Sequence, residues 1–170
     1  HSAGVGDNLD VGIIRVAMAL KLLNYARGYS GVHPDTATQL VKFLNNDFIP
    51  VVPEKGSVGA SGDLAPLAHI ASALIGEGKI MHNKKISRSK ILLKRMDINP
   101  LTLHQKDGIS LVNGTQVSTA IAIKTLYNSS IILDSADAVG ALSVETSLSS
   151  RDTFKASIHK LKKHKGQIIS

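Results

Sequence analysis

The sequence predicts a mainly helical, all-α fold. Three observations lead there. Two segments, Val11–Ala26 and Val117–Ala138, carry apolar residues at helical spacing over several turns. Helix punctuation surrounds such segments: Asp10 before the first, Pro34 opening another, Gly28 and Gly76 behind final turns. Only one short stretch, near residues 79–87, alternates as a strand would. At 170 residues, 43% hydrophobic but only 4% aromatic and without Trp, the chain is expected to form a single region, 1–170, around an aliphatic core.

Each element has a local reason. His1 to Gly6 is small and Gly-rich, so it reads as loop. Asp10 can cap the helix Val11–Ala26, which is apolar on most sides with Arg15 and Lys21 interspersed; such a helix packs among others. Arg27-Gly28 ends it. Pro34 starts a helix reaching about Asn45, with Leu40, Val41 and Leu44 as its stripe. Phe48 to Pro53 is extended, because each proline pushes its predecessor out of the helical region. A helix then runs from Asp63 or Leu64 to Ile75, with Pro66 tolerated in its first turn and Asp63 as the expected cap. Residues 79–87 predict a small β-hairpin turning at Asn83-Lys84. Ser87–Met96 is basic and predicts an exposed amphipathic helix. Val117–Ala138 is a long helix that Gly140–Leu148 can continue.

Composition narrows the function. There is no cysteine, which excludes disulfides and thiolate metal sites and suits a reducing compartment. Lys and Arg outnumber Asp and Glu by 20 to 13, for a net charge of +7. Half of those basic residues fall in two clusters, 84–95 and 159–165, which read as solvated faces rather than a nucleic-acid stripe. No apolar run approaches the ~20 residues needed to span a bilayer. No His-Glu-x-x-His pattern and no dinucleotide fingerprint occurs, so neither a metal nor an external cofactor is expected.

The chemistry concentrates in Gly56-Ser-Val-Gly-Ala-Ser-Gly-Asp-Leu-Ala-Pro66. Between Gly56 and Gly62 only Val58 is bulky, so the backbone can enter turns closed to other residues. In a tight bend the nitrogen of Gly62 can approach the carbonyl carbon of Ala60. Attack there, with loss of two waters, closes a five-membered imidazolone and turns Ser61 into an exocyclic methylidene. The loop also meets a helix N-terminus, whose partial positive charge stabilises negative charge developing nearby. A second stretch, Asn113-Gly-Thr-Gln116, follows 52 residues after Ser61 (113 − 61). Asn113 has both a donor and an acceptor for an amino acid's polar ends.

Gly56 to Leu67 resembles the signature of the aromatic amino acid ammonia-lyases, most closely the histidine-acting members. Asn113-Gly-Thr-Gln116 resembles a second motif of the family, and His1-Ser-Ala-Gly resembles its His-Ala-Ala-Gly loop, with Ser2 as a departure. Asp7-Asn8 stands where the family often has Glu-Pro, and Lys165 where His-Pro-Gly-Gln has proline. The resemblance covers nearly the whole chain and is weakest at 79–100 and 149–165. It implies a helical bundle built by neighbouring subunits, a cytoplasmic homotetramer, and a methylideneimidazolone formed autocatalytically from Ala60, Ser61 and Gly62.

The implied activity is elimination of ammonia from L-histidine to give urocanate. Asn113 would orient the substrate, His1 would contact its imidazole, and Gln116 would support them. The family places further catalytic residues upstream of His1 and downstream of Ser170, so the chain is expected to be the central part of a longer lyase and inactive alone. Two alternatives stand beside this: a tyrosine or phenylalanine ammonia-lyase or aminomutase with the same electrophile, and a non-catalytic structural subunit that keeps the fold. A third rival, a basic helical nucleic-acid binder, rests on charge alone.

Overall fold

The computed structural model describes residues 2–169 and is mainly helical, with a few short antiparallel strands. Two compact units meet in sequence after Lys124. The first contains β1 (Val5–Asn8), α1 (Val11–Ala26), α2 (Pro34–Asn45), β2 (Ile49–Pro50), β3 (Pro53–Lys55), α3 (Leu64–Leu74), β4 (Lys79–His82), β5 (Lys85–Arg88), α4 (Ser89–Arg95), α5 (Asp107–Val112) and the start of α6 (Gln116–Thr146). The second holds the rest of α6, a 3₁₀ turn at Arg151–Phe154, α7 (Ala156–Lys162) and α8 (Lys165–Ile169).

The helix punctuation works as the sequence implies. Asp10 accepts from the Gly12 amide at 2.8 Å, and Pro34 occupies the first turn of α2 behind His33. Gly28 follows α1 with φ +78°, a backbone conformation that a side chain would strain. α1 buries Ile14, Ala17, Met18, Lys21 and Tyr25, a three-and-four spacing that aims one stripe inward. It packs on α2, which buries Leu40 and Phe43, and Phe48 meets Phe43 edge-on at 5.8 Å. Ile80 and Leu93 complete this core, both fully buried.

The expected hairpin is β4–β5, with register Lys79↔Arg88 to His82↔Lys85. Its two turn residues, Asn83 and Lys84, both take positive φ, as a tight hairpin of right-handed twist requires. β2 adds a third strand beside β4.

Two expectations change. The presumed loop at His1–Gly6 leads into β1, which pairs with β3 through Val5↔Lys55 and Asn8↔Pro53. Ser87 belongs to β5, so α4 begins at Ser89; α4 is not simply exposed, because Leu92 and Leu93 are buried and only its outer side, with Ile91, faces out. The helix from Val117 does continue past Gly140, as the sequence allows, giving one helix of 31 residues, α6. None of residues 125–169 is buried, although that stretch includes Leu126, Ile132, Leu133 and Leu142. No helix among the described residues is long and apolar enough to cross a membrane.

Candidate active site

The small-residue loop between β3 and α3 forms one wall of a shallow pocket of about 210 Å³, lined by Gly56, Val58, Ala60, Ser61, Gly62, Leu64 and Ala65. Ala60 and Ser61 are exposed, while Gly62 and Asp63 are buried. Glycine at 62 is dictated twice. Its φ is +129°, and a Cβ there would lie 2.7 Å from the carbonyl oxygen of Gly114. Gly114 itself has φ +136°. Two glycine backbones from segments far apart in sequence therefore lie against each other, and the Asp63 amide donates to the Gly114 carbonyl at 2.7 Å.

Asp63 corrects the sequence reading. It precedes α3 but makes no side-chain hydrogen bond to that helix's own amides. Its carboxylate instead accepts from the Ser57 hydroxyl at 3.0 Å, from the Ser118 amide at 2.8 Å and from the Ser118 hydroxyl. Ser118 lies in the first turn of α6, so Asp63 caps the longest helix across space and places a negative charge at its N-terminus. The same carboxylate closes the small-residue loop on itself through Ser57.

Asn113 is exposed and stands between α5 and α6, immediately before the glycine that packs on Gly62. Gln116 opens α6, and its side-chain oxygen accepts from Lys21 at 3.3 Å. Lys21 was not singled out from the sequence. It is 3% exposed, and its ammonium also donates to the Asn113 carbonyl at 2.6 Å. Burial pushes its pKa down to about 8. The available signal was a lysine inside a helix apolar on most sides.

His69 is a second omission. On α3, it accepts from the Gly4 amide through Nε2 at 3.2 Å, which leaves the ring proton on Nδ1; burial holds its pKa below the ordinary value. Gly4 also abuts Gly56, where a Cβ would lie 3.1 Å from the Gly4 Cα. The segment after His1 thus reaches the base of the loop. His1, the expected imidazole contact, lies outside the described residues.

Among the described residues one other cluster carries ligand-type side chains. His33, Asp35 and His104 bring three potential ligand atoms within 4.8 Å of one another. The two imidazoles are stacked, 3.8 Å between centroids and 26° between planes, so their in-plane lone pairs run alongside rather than converge. A structural role accounts for the arrangement. Asp107, fully buried, accepts from the His33 and His104 amides, each at 2.8 Å, and holds both backbones together. Burial alone would raise the Asp107 pKa, but these amides lower it overall.

Comparison with known proteins places this geometry. The family described as aromatic amino acid lyase matches residues 1–170. The chain belongs to that family. It is 44% identical over 168 residues to a histidine ammonia-lyase of Vibrio cholerae, and 42% identical over 168 residues to one of Aliivibrio fischeri, in each case covering 99% of this chain and 33% of the relative. It therefore spans about a third of the length of these relatives. Among solved structures, a histidine ammonia-lyase from Trypanosoma cruzi matches with TM-score 0.93 and 34% identity, over 99% of this chain and 33% of that one. A phenylalanine aminomutase from Pantoea agglomerans matches with TM-score 0.92 and 28% identity, over 99% of this chain and 32% of that one.

Proposed function

We propose that the full-length protein carrying this chain is an ammonia-lyase converting L-histidine to urocanate and ammonia, with a methylideneimidazolone formed from Ala60, Ser61 and Gly62. The observation that carries the reading is the cradle at Gly62. Only a residue without Cβ fits there, its φ is one that side chains resist, and the exposed Ala60 and Ser61 precede it at a pocket. A loop with its ends tied by Asp63 has little freedom to lose, which favours reaction within the backbone over its neighbours. The residues present fit the group. When present, it supplies an electrophilic alkene, without which a β-proton of an amino acid is too weakly acidic to remove.

The chain's own residues bind and orient. Asn113 offers an amide to the substrate's amino or carboxylate group. Gly114 and Asp63 fix the spacing between that asparagine and the loop. Gln116 and Lys21 support the turn from behind. The first turns of α3 and α6 both lie at the loop, and their amide dipoles favour negative charge there. His1 is assigned the substrate imidazole. Identity to the histidine ammonia-lyases favours histidine as substrate; the TM-score of 0.92 to the phenylalanine aminomutase supports an aminomutase as the second reading. The chain is the loop-bearing central part of a homotetrameric, cytoplasmic enzyme and does not turn over alone. The uncovered apolar side chains of α6 support the oligomer.

Two measurements test the reading. A peptide containing residues 60–62 from the full-length protein should weigh two waters less than its sequence, and histidine should give urocanate faster than tyrosine gives coumarate. Ser61→Ala should restore the full peptide mass and lower kcat on the order of 10³-fold or more. An intact serine hydroxyl in the assembled wild-type protein would refute the proposal.

A further inference from the structure

We propose that Lys21 is a positioning residue for this site, holding the Asn113–Gln116 turn at a fixed separation from the Ala60–Ser61–Gly62 loop. The inference rests on the reading of Asn113 as the substrate-orienting group. Lys21 lies in the middle of α1, and its ammonium spans the turn, reaching the Asn113 carbonyl at one end and the Gln116 side chain at the other. Gly114, between them, is the residue that packs on Gly62 and accepts from the Asp63 amide. Moving the turn therefore moves Asn113 relative to Ser61.

Stability alone does not call for a lysine here. An ammonium taken out of water loses hydration, and its partners are a neutral carbonyl, a neutral amide and, at 5.8 Å, the face of the Tyr25 ring, none of which carries a compensating negative charge. No ion pair to Lys21 forms among the described residues. A methionine would fill similar space at lower cost. What a methionine cannot do is hold two acceptors of a glycine-containing turn at once. A charged donor makes each of those bonds stronger than a neutral one would, and Lys21 acts on the two ends of the turn, whose middle residue, Gly114, is already tied to the loop by the Asp63 amide.

The test uses the full-length protein with Lys21→Met, Lys21→Gln and Lys21→Arg, and Ser89→Ala as a control. Ser89 is buried and donates to the Ala73 carbonyl at 2.5 Å, in a network separate from the loop. Hydrogen exchange should speed up about 10-fold at peptides covering 60–63 and 113–118 in Lys21→Met and Lys21→Gln. In those variants kcat/KM for histidine should fall about 10-fold to 100-fold, mostly through KM. Lys21→Arg should recover most of both effects. Ser89→Ala should lower Tm without changing exchange at the site or KM. Unchanged exchange at those peptides, or faster exchange with unchanged KM, overturns the proposal. If wild type lacks the dehydrated 60–62 peptide, the functional reading fails, and the exchange data still judge whether Lys21 holds the turn.

Discussion

Residues 2–124 and 125–169 spend their apolar side chains differently. In the first unit Leu93, Leu40 and Ile80 are fully buried, and every helix has a stripe turned inward. In the second, Leu133 is 66% exposed, Leu142 64% and Leu161 83%, with no buried residue at all. α6 shows the contrast within one element: Val117 and Ala120 are buried near its start, and nothing is buried beyond. The first unit carries a core of its own. The second is helical, and its apolar side chains have no partner surface among the described residues.

Truncation should break or uphold that contrast most sharply. In the 170-residue stretch, Leu93→Ala should cost about 2–5 kcal/mol, read by urea unfolding, because it opens a cavity in a closed core. Asp63→Asn keeps the shape but removes the charge capping α6 and should cost about 1.5–3 kcal/mol in the same assay. A smaller effect follows from Lys21. Its folded pKa of about 8 lies below the ordinary 10.5, so between those values the unfolded chain binds the extra proton. Stability should therefore rise from pH 8 toward pH 10, by on the order of 1 kcal/mol, and Lys21→Met should lose that rise. Leu133→Ala should change stability least, within about 0.5 kcal/mol, while reducing self-association seen by sedimentation. A large destabilisation by Leu133→Ala would show that the second unit has a core after all.

How much was legible depends on how far apart the interacting residues are in sequence. α1 could be read end to end because Asp10, the apolar run and Gly28 are contiguous. The hairpin was legible from Asn83-Lys84 for the same reason. The loop of Gly56 to Gly62 was recognisable from its small residues. What was missed is non-local. β1 pairs with β3 across the whole of α1 and α2, and four residues beginning beside glycines carry no alternation to reveal it. Asp63 looked like the cap of the helix it precedes. Its true partner, Ser118, is 55 residues away, and no local rule distinguishes the two. Lys21 was visible as an oddity, a charge amid apolar neighbours, but its acceptors Asn113 and Gln116 are more than 90 residues distant. The site is thus legible as a set of parts, while the fasteners between them are not.

The Asp63 fastening has a practical consequence for redesign. Because one carboxylate gauges the gap between two helix starts, inserting or deleting a single residue from Ser57 to Asp63 would throw the bend out of alignment with Gly114. Variation aimed at the pocket belongs on its rim instead. Val58, 87% exposed, sits in that loop and is held by no side-chain hydrogen bond, so it can be exchanged while the gauge stays intact.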